Sequence, residues 1–197
     1  MYKVYGKVNT RTFRVLWLLE ELGEPYQLIE AGPRSDAIMA VNPSGKVPAM
    51  QVGDDILTDS TAILTYLADK HGALTYPAGT IERAQQDALV HMLLDEFDSN
   101  LWMATRHTAI LPEDKRVPAI APSLQWEFEK SVARLDARFV GPFLQGDKMT
   151  IADIIATNLM GWAHFIRFPI NSEKLKAYGK AMCSREAYTR TQNAAAS

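Results

Sequence analysis

The stretch Asn42–Met50, "NPSGKVPAM", sets a proline between Val47 and Ala49 at the point where an apolar run opens. Proline has no backbone donor and is confined to the edge or the first residue of a strand. Pro48 therefore opens the short strand "PAMQV", Pro48–Val52, and makes a bend that something other than sheet pairing must use. Upstream, β-like runs alternate with a helical one: "KVYG" (Lys3–Gly6), "RVLWLLEELG" (Arg14–Gly23), then "YQLIE" (Tyr26–Glu30). Val15, Leu18, Leu19 and Leu22 share one face of that helix, Glu20 and Glu21 lie opposite, and Gly23 stops it. Downstream, "TAILTYLADKHG" (Thr61–Gly72) reads as a second helix. A βαβ unit followed by strands and a helix makes the first part of the chain α/β.

The pattern then changes. "HGALTYPAGT", His71–Thr80, gathers two glycines and a proline without periodicity, so the spacing predicts a domain over 1–72, a linker over 73–80 and an all-α domain over 81–197. Ile81–Ile110 contains no Gly or Pro and carries Leu89, Leu93, Phe97 and Leu101 near helical spacing, which predicts one long helix. A loop follows at Pro112, Pro118 and Pro122, then a helix from Ser123 to about Phe139. "TIAD", Thr150–Asp153, has the spacing of an N-terminal capping box ahead of "IIATNLMGWAHF". Two shorter helices are expected around Ser172–Met182 and Arg185–Gln192, and the trailing "NAAAS" is expected to fray.

Bulk properties exclude several classes. The 197 residues are 47% hydrophobic, enough for a full core, and carry 21 basic against 23 acidic side chains, a net charge of −2. No general basic field exists to hold nucleic acid or anionic lipid. "MYKVYGKVNT" has no apolar signal core and no run approaches the ~18 apolar residues of a membrane span, so a cytoplasmic protein without a membrane partner is expected. The single cysteine, Cys183, has no internal disulfide partner and no Cys or His at metal-ligand spacing. It is expected to be a small buried packing residue in a late helix, and no metal is expected.

"VPAM" (Val47–Met50), followed from Thr58 by "TDSTAILTYL", after a βαβ start and before an all-helical half, resembles the cytosolic glutathione S-transferases of bacterial type. The resemblance covers nearly the whole chain. It implies a thioredoxin-like N-terminal domain (βαβ-ββα) followed by an all-α domain, with glutathione as co-substrate and no other cofactor. It also implies that Pro48 is cis, turning Val47 so that its N–H and C=O pair with the cysteinyl backbone of glutathione as a short added strand. Asp59 and Ser60 open a helix, where amides and dipole favour a carboxylate, and the aspartate can hold an ammonium: the γ-glutamyl group carries both charges. Lys46 stands where family members often reach the glycine carboxylate. Capping by Asp59 or Ser60, and a solvated Lys46, are the plain alternatives.

"YGKVNTRTFRVLW", Tyr5–Trp17, resembles the branch with the pattern Gly-x-x-x-Ser-Arg-Ser-x-Arg. Aligned on Gly6, Arg11 and Arg14, the thiol-activating serine falls on Thr10, which keeps the hydroxyl but adds a methyl. Asn9 beside it is the second candidate and Tyr5 the third; alternatively Thr10 or Thr12 simply caps the helix. No cysteine stands in this region, which argues against thiol transfer through a protein thiolate, and the Ser-Ser-Cys-Ser signature of the isomerase branch is also absent. Addition of the glutathione thiolate to a small hydrophobic electrophile remains, with hydroperoxide reduction as a related chemistry and detoxification as its setting.

By the same resemblance the electrophile lies between the domains, against the long helix, where Trp102, Met103, Arg106 and His107 fall about one turn apart. The family also implies a homodimer. A non-catalytic binding or scaffold protein on the same fold is the alternative, favoured by the replacement of serine with Thr10.

Overall fold

The computed structural model describes residues 1–194. The last three residues of the tail expected to fray lie outside the described residues. Residues 1–77, joined by the chain from Cys183 onward, form one compact unit, and residues 78–182 form another.

The first unit begins with β1 (Tyr2–Gly6), α1 (Thr12–Leu22), β2 (Tyr26–Glu30), a single-turn α2 (Asp36–Met39), β3 (Ala49–Val52), β4 (Asp55–Thr58) and α3 (Ser60–His71). The strand order is β2-β1-β3-β4, with β1 and β2 parallel and the other two pairs antiparallel. The turn between β3 and β4 is too short for anything but a hairpin, whereas β1 reaches β2 through the crossover helix α1. Gly23 adopts φ 68° and its N–H closes on Glu20 O, as its place at the end of the periodic run predicts.

The second unit is helical: α4 (Ile81–Met92), α5 (Ser99–Thr105), α6 (Ala121–Arg138), α7 (Ile151–Phe165) and α8 (Glu173–Cys183), whose last residue, Cys183, is counted with the first unit. The expected single helix over 81–110 is helical throughout, but it widens into π-helical turns at Leu93–Asp98 and Arg106–Ile110. Side-chain donors reach main-chain carbonyls around both: Asn100 Nδ2 donates to Glu96 O at 2.7 Å and the Thr108 hydroxyl to Ala104 O at 2.9 Å. Such bonds compete with the regular ladder and loosen its pitch. Leu89, Leu93, Phe97 and Leu101 are all buried, as their spacing predicts. Phe97 packs edge-on against Phe128 at 5.3 Å, and Phe128 against Phe168 at 5.5 Å; each such ring contributes about 1.5–3 kcal/mol by leaving water.

The capping box at Thr150 and Asp153 is present. The Asp153 carboxylate accepts Thr150 N–H at 2.8 Å, Leu144 N–H at 2.9 Å and the Tyr178 hydroxyl at 2.9 Å, tying the start of α7 to the preceding loop and to α8. Burial raises its pKa, and the hydrogen bonds it accepts oppose that rise.

The last helix, α9 (Glu186–Asn193), belongs to the first unit, where it packs on α1, and not to the helical unit in which the sequence places it. Tyr188 stands edge-on to Phe13 and to Trp17, each at 5.0 Å. The Arg185 guanidinium holds both Glu21 carboxylate oxygens, at 2.6 and 2.7 Å, and Arg190 donates to Glu20 at 2.7 Å. The acidic side of α1, opposite its apolar face, is thus covered as well, and every residue from Thr12 to Leu19 is buried. A periodicity with a polar stripe does not reveal a second partner that brings its own arginines. Cys183 corrects another expectation: it is exposed, because it ends α8 where the chain crosses between units.

Candidate functional site

The strand register gathers three distant segments at one end of the sheet. β1 and β3 run antiparallel with Tyr5 opposite Ala49, so the chain leaving β1 after Gly6 lies beside the chain entering β3 through Val47 and Pro48. Thr58 pairs with the same Ala49, so Asp59 and Ser60 leave β4 at that end too. The turn of Lys7–Thr10, the Val47–Pro48 segment and the start of α3 are therefore neighbours by topology.

The turn after β1 is closed by Thr10 N–H donating to Lys7 O at 3.0 Å. Thr10 Oγ1 lies 2.7 Å from the same Lys7 carbonyl, 2.8 Å from Thr12 Oγ1 and 3.2 Å from Thr12 N. Arg11, the residue ahead of α1, makes no side-chain cap, so Thr10 also supplies the acceptor for a first-turn amide. Asn9 is exposed in the same turn. Tyr5 is engaged elsewhere: its hydroxyl donates to Gln51 Oε1 at 3.2 Å while its ring packs on the cluster of Ala31, Ile38 and Ala49.

Gly6 is dictated by Thr12. A Cβ at Gly6 would stand 1.9 Å from Thr12 Oγ1, and Thr12 is wholly buried, so the hydroxyl cannot retreat. Gly6→Ala is expected to lower stability by about 1–3 kcal/mol, the usual cost of forcing extra volume into a packed interior. Chemical denaturation checks it, and an unchanged midpoint and slope would refute so close an approach.

The loop into β3 is held by Asn42, buried at 7% exposure. Its Nδ2 donates to Lys46 O at 2.8 Å, and its Oδ1 accepts Ser44 N–H at 3.2 Å and the Ser44 hydroxyl at 2.9 Å. The Val47–Pro48 peptide is cis. Val47 is half-buried against the Ala31, Ile38 and Ala49 cluster, Pro48 is buried, and Lys46 is exposed. At the start of α3, Asp59 has φ 69° and ψ 125°, and its carboxylate accepts Thr61 N–H at 2.9 Å and Ala62 N–H at 3.0 Å. A non-glycine residue in such a conformation costs about 1–3 kcal/mol, which the two amides offset. Ser60, the first helical residue, is buried at 3% exposure.

In the second unit the structure brings three of the four long-helix candidates together. The Arg106 guanidinium lies 6.0 Å from the Trp102 ring centre and its Nη1 is 4.0 Å from Met103 Sδ. Trp162 joins them from α7, with ring centres 6.3 Å from Trp102 and its Nε1 donating to Thr105 Oγ1 at 3.1 Å. His107 does not join: its Nδ1 accepts Val117 N–H at 3.1 Å, pinning the loop that follows. Sequence reasoning passed over Asn42 as a site residue, although an Asn-Pro-Ser run is an Asx-turn signal, and it weighed Thr12 only as a cap. Among the described residues no group of three or more His, Cys, Asp or Glu could hold a metal ion, and no helix is long and apolar enough to cross a membrane.

Comparison with known proteins bears on the family and the fold. The family of glutathione S-transferase N-terminal domains matches residues 11–70. Glutathione S-transferase theta-3 of Mus musculus is 31% identical over 173 residues, covering 80% of this chain and 71% of the relative. The theta-2B enzyme of Homo sapiens is 32% identical over 143 residues, 66% of this chain and 55% of the relative, so the chain spans little more than half the length of that relative. Among solved structures, a glutathione transferase from Methylococcus capsulatus superimposes with a TM-score of 0.86 at 23% identity, covering 98% of each chain. A theta-class glutathione S-transferase from Xanthomonas axonopodis pv. citri, with glutathione bound, has a TM-score of 0.78 at 28% identity over 96% of each chain. The chain belongs to the glutathione S-transferase family, with the thioredoxin-like and all-α halves of that fold.

Proposed function

We propose that this protein is a glutathione transferase that binds glutathione at the sheet end carrying Val47 and Ser60 and adds its thiolate to a small hydrophobic electrophile. The observation that carries the reading is the register that gathers Thr10, Val47–Pro48 and Asp59–Ser60 at one end of the sheet. In this reading the Val47 backbone pairs with the cysteinyl residue of the tripeptide. The γ-glutamyl carboxylate lies at the start of α3, with its ammonium against the outer face of Asp59. Lys46, exposed and stationed by Asn42, takes the glycine carboxylate. The Thr10 hydroxyl donates to the sulfur. The thiolate then forms a C–S bond with the electrophilic carbon, and the leaving group departs with its electron pair.

The electrophile is assigned to the second unit's face of Trp102, Met103 and Arg106, where an indole and a thioether offer apolar surface and the guanidinium steadies developing negative charge. The engagement of its Nδ1 by Val117 gives His107 a structural role in this scheme, with its other ring nitrogen alone left for a substrate. Reduction of hydroperoxides would use the same thiolate. A cytoplasmic homodimer is the expected setting.

Retention on immobilised glutathione, with calorimetric titration of free glutathione, tests the site, and conjugation of 1-chloro-2,4-dinitrobenzene tests turnover. Micromolar to millimolar binding with measurable conjugation is expected. Failure to bind glutathione would remove the reading, whereas binding without conjugation across several electrophiles would make the chain a binding module.

A further inference from the structure

The hydroxyl assigned to the sulfur has a neighbour with no part in the scheme above. Thr10 Oγ1 has one proton and two lone pairs, and the structure gives it three partners: Lys7 O at 2.7 Å, Thr12 Oγ1 at 2.8 Å and Thr12 N at 3.2 Å. The carbonyl of Lys7 can only accept, and at 2.7 Å an oxygen pair needs a proton between them, so the Thr10 proton lies on Lys7 O. Thr12 N–H can only donate. The remaining contact must therefore be filled by the Thr12 hydroxyl donating to Thr10, since Thr10 has no second proton to give.

We infer that Thr12 is a positioning residue for thiol activation: its N–H and O–H fill both lone pairs of Thr10 Oγ1, so that the one thing Thr10 can do toward an arriving sulfur is donate. This rests on the assignment of Thr10 as the donor to glutathione. Two features of the turn support it. Lys7 O also accepts Thr10 N–H at 3.0 Å, so the carbonyl keeps a partner when the hydroxyl turns away from it toward a thiolate. Thr12 is wholly buried against Gly6, in a space with no room for a Cβ, so its hydroxyl is fixed where Thr10 needs it. A hydroxyl that accepts two hydrogen bonds is polarised into a better donor. The sulfur's own proton leaves to solvent, and Thr10 keeps its proton throughout.

The test is the thiolate absorbance titration of bound glutathione, together with the pH profile of kcat, in the full-length protein. Thr12→Val keeps the shape and the N–H but removes the donating hydroxyl; it is expected to raise the pKa of the bound thiol by about one unit. The acidic limb of kcat should move by the same amount, glutathione affinity should change less than about threefold, and Thr12→Ser should restore the parent titration. If Thr12→Val does not fold, Thr12→Ala is read in its place with the same expected direction.

The outcomes separate the inference from the reading beneath it. A parent protein that binds no glutathione removes the function itself, and a Thr10→Ala variant with an unmoved titration removes the donor on which Thr12 acts. A Thr10→Ala variant that shifts beside a Thr12 variant that does not would overturn the role of Thr12 alone. Loss of amplitude without movement along the pH axis would likewise reduce Thr12 to a structural residue.

Discussion

Thr10→Ala is expected to lower kcat for glutathione conjugation at neutral pH by roughly 10- to 150-fold while leaving glutathione affinity within a small factor of the parent. A free thiol ionises near ~8.5, so only a few per cent is thiolate at neutral pH. A hydrogen bond to a charged acceptor contributes about 1.5–3 kcal/mol, which is that range of rate. Affinity should persist because, in the binding mode proposed above, the tripeptide is held by the Val47 backbone, the start of α3 and Lys46, none of which depends on the hydroxyl. Thr10→Ser should match or exceed the parent, since it keeps the oxygen and drops a methyl. Asn9→Ala serves as the matched control: Asn9 is exposed in the same turn, and a loss of rate there with Thr10→Ala unaffected would transfer the role to the amide.

Asp153→Ala is expected to give the largest loss of stability, about 3 kcal/mol or more in chemical denaturation. It strands the buried amides of Thr150 and Leu144 at once and takes the carboxylate acceptor from the Tyr178 hydroxyl, and each unmet buried donor costs about 1–3 kcal/mol. Asp153→Asn should lose less, because one amide oxygen still accepts while its NH2 faces a donor. The pH dependence has a definite sign. Burial holds the Asp153 pKa above the ordinary 3.8, so the folded state binds this proton more tightly than the unfolded one. The stability gained from that proton is fully present below 3.8 and is lost as pH rises through the raised folded value. The margin of the parent over Asp153→Asn should therefore narrow as pH climbs through that window; a margin that widens would mean a depressed carboxylate instead.

The same capping box was legible in four letters, because its geometry is wholly local: Thr150 and Asp153 are three residues apart and serve the same turn. The strands, α1 and α3 were legible for a related reason, namely period and a stop residue at Gly23 and Gly72. Pro48 marked the entrance of β3 because a residue without a backbone donor belongs at a strand's edge or first position, and only the family resemblance tied that entrance to glutathione. What escaped was what depends on distant partners. Nothing local in "TFRVLWLLEEL" says that α9 will cover Glu20 and Glu21, and nothing in a Gly-free, Pro-free run announces where side-chain donors will open a π-helical turn. The role of Thr12 lay two residues from the residue that was singled out. It needed the distance to Gly6 and a count of protons, neither of which a letter code carries.

The return of α9 to α1 bears on the order in which the protein is made. A ribosome delivers β1 through α3 first, then the whole of residues 78–182, and only afterwards the helix carrying Tyr188 and Arg185. At about 5–20 residues per second the first unit waits of the order of ten seconds for its last piece. Through that interval Phe13 and Trp17 lack the ring that will stack against them, and Glu21 lacks its arginine. The first unit thus lacks its closing helix while residues 78–182 are made, and the apolar flank of α1 is the surface on which a chaperone or another nascent chain would first find purchase.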